Sequence, residues 1–216
     1  MKSRTGIIIV AIVIIAVAAG FGIALHANKS TPTASEAVTS MSMHDGSMMT
    51  TLKVQTGDAY DQMFITMMSE HHAGAVAIAT YVLHDAKHPE IRTLAANIIS
   101  AQTKELGDMK SWATKWGYTY AAPGQIVIDE NTASFKGKTG DALDRQFLSD
   151  MLAHHQGALD MATLSATRAN HVEIKTLSDS IISTQTNEIA LMKGYASSFG
   201  YGVEGTDNES MHGMHS

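Results

Sequence analysis

Cysteine is absent from the 216 residues. That excludes disulfides, thiolate metal sites and thiol catalysis together. A basic stripe is also missing: 15 Lys and Arg are scattered along the chain against 21 Asp and Glu, leaving a net charge of −6. A phosphate backbone would need clustered cations interleaved with aromatics, so nucleic acid is excluded as a partner. What the chain has instead is 14 methionines and 11 histidines. Thioether sulfur is soft and needs no deprotonation, and imidazole is borderline. Together they suit a soft ion such as copper, above all Cu(I), where cysteine would be oxidised.

The N-terminal segment, 1–26, carries Lys2 and Arg4 and then an uninterrupted apolar run over 6–25, GIIIVAIVIIAVAAGFGIAL. A run of about 20 apolar residues suffices to span a bilayer as a helix, and the two cations place the N-terminus in the cytoplasm. The segment 1–26 is therefore expected to form a membrane anchor or signal, with the rest exported to the periplasm or extracellular space. Leu25 and His26 before Ala27 make a poor cleavage sequence, which favours a retained single-pass helix. The stretch 27–55 is rich in Ser, Thr and Met without an apolar period and reads as a flexible tether.

From Thr56 the sequence is written twice. TGDAYDQMFITMMSEHHAGAVAIA returns as TGDALDRQFLSDMLAHHQGALDMA, and the match runs without a gap over 56–118 and 139–201. Each copy keeps Met-x-x-His-His (Met68, His71, His72; Met151, His154, His155) and Gln-x-x-Glu-x-x-x-Met (Gln102, Glu105, Met109; Gln185, Glu188, Met192). Gly57-Asp58 and Gly140-Asp141 open a first helix in each copy, with Asp61 and Asp144 read as first-turn acids. That helix is expected to run to about Leu83 or Ala166. Pro89 suits the first position of a second helix, which should stop at Gly117 or Gly200. Each repeat is thus an αα-hairpin, and two hairpins make an all-α four-helix bundle over 56–201. The connection at 119–138 has no helical rhythm and reads as a crossover. The tail at 202–216 is polar.

On a helical wheel with His154 at zero, Phe147 falls at about 20°, Ala158 at about 40°, Met151 at about 60° and His155 at about 100°. The histidines bracket the apolar stripe. On the second helix Gln185 falls between Ile181 and Ile189 in the middle of the buried face, with Glu188 at its edge. Polar groups there must be paired, since an unsatisfied one costs roughly 2 kcal/mol or more. Two arrangements meet that demand. One is a metal-free network in which Glu holds the imidazole N–H. The other is a metal site in which His and Met ligate while Gln and Glu support them. Duplication with methionine at a constant offset favours metal, with the hairpin as the unit.

Asp61 and Asp144 are secondary candidates for touching the ion, and so is Met67, which has no methionine counterpart. His88 and His171 start the second helices and are expected to cap or hydrogen-bond. Trp112, Trp116, Tyr195 and Phe199 read as core, and Gly74 and Gly157 as points of close helix approach. Met41, Met43, His44, Met48 and Met49 before the bundle, and Met211, His212, Met214 and His215 after it, stand in polar segments that need no methionine for a core. Capture of a soft ion accounts for them.

At these residues the chain resembles the exported family of the domain of unknown function 305. The shared pattern is D-x-x-F-x-x-x-M-x-x-H-H-x-G-A at 61–75 and 144–158, followed by I-x-x-x-Q-x-x-E-x-x-x-M. The resemblance covers 56–201. It implies a ferritin-like four-helix bundle that binds copper ions, and silver in their place, outside the cytoplasm. It also implies a methionine after the Gly-Ala turn point, a place filled by Met161 but by Ile78 in the first repeat. The site around His154 and His155 is therefore expected to be the better defined. A copper-accepting or copper-exporting protein is the partner such a role would call for.

Catalysis is the competing class. A ferritin-like di-metal oxidase wants several bridging carboxylates and Glu-x-x-His pairs, whereas only Glu105 and Glu188 point inward here. A metal-free scaffold at the membrane is the third reading.

Overall fold

The computed structural model describes residues 46–202. The apolar run at 6–25, together with Met41, Met43, His44, Met211, His212, Met214 and His215, lies outside the described residues. Among the described residues no helix is long and apolar enough to cross a membrane.

The described chain is all-helical: α1 (Gly46–Leu52), α2 (Gly57–Val82), α3 (Pro89–Trp116), α4 (Gln125–Thr132), a 3-10 turn (Ala133–Phe135), α5 (Gly140–Ala162), α6 (Ser165–Arg168) and α7 (Val172–Ser198). Helices α2 and α3 form the first hairpin, α5 and α7 the second. Pro89 sits in the first turn of α3, and Gly117, left-handed at φ 73°, ends it. The Tyr118 N–H then bonds back to the Ala113 carbonyl at 2.9 Å, and Tyr201 repeats the device on Ala196 at 2.8 Å. Gly57 and Gly140 also take positive φ, 64° and 56°, at the entry to α2 and α5. Side-chain-bearing residues disfavour that conformation, and each glycine uses it to lie against the loop preceding the other repeat's second helix, at Ala169 and Ala86.

The hairpins do not own separate cores. One apolar cluster joins Ile78, Ala79 and Val82 from the end of α2 and Ile91 and Ile98 from the start of α3 to Leu143, Phe147 and Met151 from the start of α5 and Met192 and Ala196 from the end of α7. The other joins Tyr60, Phe64 and Met68 to Ala158 and Met161, and Met109 to Ile174 and Ile181. The start of each first helix thus packs on the end of the other, so α2 and α5 run antiparallel. Between the two clusters lies a polar layer containing His71, His72, Gln102, His155 and Gln185, all buried. This corrects the expectation that the hairpin is the unit: in both clusters the stripe on each first helix meets its own hairpin partner and the other repeat together.

Three further expectations change. The crossover holds a helix, α4, packed along α2, and a buried Phe135. Contact with α2 supplies what periodicity did not. The expected tether folds at its end, where α1 buries Leu52 completely and lays Met48 and Met49, half-buried, on the second cluster. Those two methionines have a packing role. Finally, α5 ends at Ala162, short of Ala166, and the chain bends into α6. Thr163 Oγ1 turns back to the Asp160 carbonyl at 3.1 Å, competing with the helix, and buried Ser165 ties the bend to Tyr60 at 2.9 Å and Ser178 at 2.7 Å.

Candidate metal centre

The N-termini of α3 and α7 hold the layer in register. Asp61 and Asp144 are fully buried, and each caps the second helix of the other repeat. Asp144 accepts bonds from the backbone N–H groups of Lys87 and His88 at 2.9 and 3.0 Å and from His88 Nδ1 at 2.7 Å. Asp61 does the same for Asn170 and His171, at 3.1, 2.8 and 2.7 Å. A carboxylate at a helix N-terminus meets unpaired N–H groups and the positive end of the helix dipole. One turn into its own helix, however, each acid faces the bundle, so its partner is the neighbour; Asp58 and Asp141 also reach across, to Asn170 and to Lys87.

Aromatic rings close over these caps. Trp116 stacks on His171 with centroids 3.7 Å apart and planes at 14°, and Phe199 on His88 at 3.7 Å and 11°. Trp112, Trp116, Tyr195 and Phe199 are partly buried around the clusters, so they serve as lids on the caps more than as core. Tyr118 and Tyr201, which sequence reasoning missed, reach the same histidines at 3.4 and 3.3 Å. Their recurrence at the last position of both repeats was the available signal. Asp58, Asp61 and His171 form, among the described residues, the one group of three carboxylate or imidazole atoms within 4.8 Å of one another. The cap bonds already account for it.

At the middle of the bundle the two copies superimpose in chemistry. His72 Nε2 lies 2.7 Å from Glu105 Oε2, and His155 Nε2 lies 2.7 Å from Glu188 Oε2. An N–H donated to carboxylate leaves the Nδ1 lone pair as the ligating position, which is how carboxylates orient metal-binding imidazoles. No protein group takes it up. Among the described residues the buried side-chain atoms without a partner are Nδ1 of His71, His72, His154 and His155 and Oε1 of Gln102 and Gln185. Each such group costs about 1–3 kcal/mol, so six together rival the roughly 5–15 kcal/mol stability of a whole domain. All six belong to one layer, and they are nitrogen and oxygen donors with lone pairs to give. The residues present fit a metal.

His71 and His154 come from different repeats and touch, with ring centroids 3.7 Å apart. Burial, followed by the neighbouring imidazoles, lowers the pKa of both: that of His71 well below its ordinary value, that of His154 to about 3. Both are neutral at physiological pH and so need no deprotonation before ligating.

The methionines surround this layer unequally. Met151 and Met192 lie in the first cluster with Ile78, while Met67, Met68, Met109 and Met161 lie in the second. Met161, two turns beyond His154, lies in the cluster that also holds Met67, Met68 and Met109. Ser69 Oγ also reaches Met109 Sδ at 3.7 Å. The glycines differ too. A Cβ on Gly157 would lie 3.1 Å from His71 Nε2, whereas one on Gly74 would meet Asn131 of α4 at 2.9 Å. One makes room for a histidine and the other for the crossover.

The family model for the domain of unknown function DUF305 matches three overlapping stretches, residues 16–113, 61–196 and 144–216. The chain belongs to the DUF305 family. The resemblance carried by the His-His core and the Gln-x-x-Glu helix is thereby borne out. Among solved structures, CopM in its Cu(I)-bound form is 34% identical with a TM-score of 0.57, covering 66% of this chain and 98% of CopM. CopM in its Cu(II)-bound form is 32% identical at a TM-score of 0.55, covering 68% and 99%. A DUF305 fragment from Deinococcus radiodurans is 26% identical at a TM-score of 0.56, covering 64% and 95%. No match is found among curated proteins.

Proposed function

We propose that this DUF305 protein binds copper outside the cytoplasm, as Cu(I) or Cu(II) with silver as a substitute, through Met and His side chains of its central layer. Its role on this reading is sequestration, resistance or transfer to a copper-accepting or copper-exporting protein. The observation that carries the proposal is the set of six unpartnered buried donors in one layer, in a chain one-third identical to CopM, which has been solved with Cu(I), Cu(II) and silver. The proposed ligands are Met68, His71, His72, Met109, Met151, His154, His155 and Met192, with Met161 and Met67 beside the first-repeat thioethers. Glu105 and Glu188 orient imidazoles, and Gln102 and Gln185 offer amide oxygens. The long crossover between two hairpins is the connectivity of ferritin-like bundles. The run at 6–25 is taken as the membrane anchor, and the terminal Met and His residues as a soft-ion trap.

Binding is favoured over catalysis because both inward acids already hold a histidine, leaving no free carboxylate pair to bridge two hard metals. Titration of the purified chain with Cu(I) under a competing chelator, with Cu(II), Zn(II) and Fe(II) in parallel, tests the proposal. Copper should bind more tightly than zinc or iron, and the joint substitution Met151→Ala, His154→Ala and His155→Ala should weaken it. Equal affinity for zinc, or an unchanged titration in the variant, would exclude it. Oxygen consumption with iron would support the oxidase reading instead.

A further inference from the structure

We infer that the end of the bundle at which α1 enters is a membrane-docking face, which meets the boundary between lipid headgroups and acyl chains through Val54, Val172, Trp112 and Trp116. This rests on the reading of the run at 6–25 as a membrane anchor, and adds a second, peripheral contact made by the folded domain itself.

Exposure is the first ground. Among the described residues the two barest large hydrophobic side chains are Val54, 70% exposed, and Val172, 67% exposed. Leu191 at 44% and Tyr81 at 38% follow, in the second half of α7 and the last turn of α2. The two valines stand at one end of the bundle. The Arg168 guanidinium donates to the carbonyl of Gln55, next to Val54, and Gly57 lies against Ala169. His171, next to Val172, stacks on Trp116, which in turn stacks on Trp112. Asp58 and Glu173 at this end already hold Asn170 and Lys115, so neither is a bare acid turned to the lipid.

The second copy is an internal control. The positions that correspond to Val54 and Val172 are Gly137 and Pro89, and those that correspond to Trp112 and Trp116 are Tyr195 and Phe199. The aspartate–histidine caps beneath are alike at both ends, so the fold requires neither valine nor tryptophan there. Tryptophan and tyrosine favour the headgroup level of a bilayer, where an apolar ring and a polar edge are both served, and apolar neighbours enter the acyl boundary. Chain order agrees. Only the 20 residues 26–45 separate the apolar run from α1, whereas the opposite end of the bundle is about 39 Å away, the rise of the 26-residue α2. A short connection to an inserted helix raises the effective concentration of lipid at this end, so a small apolar face suffices. Lys115, with its ammonium 6.0 Å from the Trp116 ring, can lay its stem on the boundary and keep its charge among the headgroups.

Both tryptophans of the chain lie on this face, so native fluorescence reports on it alone. The test reconstitutes the full chain, kept metal-free by a chelator, in vesicles of phosphatidylcholine and phosphatidylglycerol, either plain or brominated in the upper acyl chain. Docking predicts that brominated lipid quenches the emission. The joint substitution Val54→Asp and Val172→Asp, at two exposed positions, should relieve most of that quenching and shift the emission to the red, whereas Leu191→Asp should change neither; circular dichroism checks that each variant is folded. A chain that floats with the vesicles but is not quenched overturns the inference and leaves the anchor intact. So does quenching that persists in the double variant, or that Leu191→Asp relieves equally. If the unaltered chain does not float with the vesicles, the anchor reading fails and this inference with it.

Discussion

Acid should unfold the metal-free domain in a window set by two histidines. His71 and His154 have lowered pKa values in the fold, that of His154 reaching about 3, against about 6.5 for an unfolded histidine. Above pH 6.5 both states are neutral and the linkage vanishes. As pH falls below 6.5 the unfolded chain takes up protons that the folded one refuses, so stability drops until the folded groups titrate. At pH 5 the difference for His154 is about 1.5 units, or roughly 2 kcal/mol, and His71 acts in the same direction. Partial exposure of the His154 residue makes this a ceiling. The lowered carboxyls of Asp58, Asp141 and Glu173 lose their contribution only as pH falls through their own, lower range, while Glu70, raised by burial, works in the opposite direction. With an m-value of about 2 kcal/mol/M, His154 alone corresponds to a fall in the urea midpoint of up to about 1 M between pH 7.5 and 5.0, and His71 adds to it. Circular dichroism in the presence of a chelator would record it, and the His71→Gln, His154→Gln double variant should show most of the dependence removed. A midpoint that does not move, or one that moves equally in the variant, would refute the account.

Replacing Asp144 with Ala removes three bonds to a buried carboxylate and strands His88; a loss of roughly 3–5 kcal/mol is expected by thermal unfolding, with Asp61→Ala behaving alike. Asp144→Asn, which keeps an acceptor, should cost less. Gly157→Ala should weaken Cu(I) binding by displacing His71, whereas Gly74→Ala should lower the melting temperature by disturbing Asn131 with a smaller effect on copper; chelator competition and calorimetry separate the two. Glu105→Gln with Glu188→Gln should lower copper affinity about 10–100-fold, as loss of a supporting carboxylate does at other metal centres. An unchanged affinity would leave those acids a purely structural part.

The long helices were legible because Pro89, Gly117 and Gly200 punctuate them and because the second copy repeats the pattern with other residues. The Glu–His pairing was legible from phase alone, since a carboxylate at the edge of a buried stripe has few other partners. What stayed hidden depends on the packing of α2 and α5. Phase places Met161 on the face that carries His154, but only the packing decides which residues that face meets. The caps were hidden for the same reason: Asp61 is near His171 only once the helices lie side by side. Helix α4 escaped because its sequence, QIVIDENT, is amphipathic only weakly, and its place on α2 depends on Gly74, far earlier in the chain.

The exchanged aspartates bear on how the molecule comes into being. The start of α3 is not complete until Asp144 has been added, and α7 relies on Asp61, laid down more than a hundred positions before it. A nascent chain stopped at the crossover therefore carries both halves of a mutual arrangement, an acid that caps and a helix waiting to be capped, with no second hairpin to answer either. Two such fragments could satisfy one another by the same symmetric exchange. The present chain then reads as a homodimer made permanent by a connecting segment, with the metal layer lying where the two former partners met.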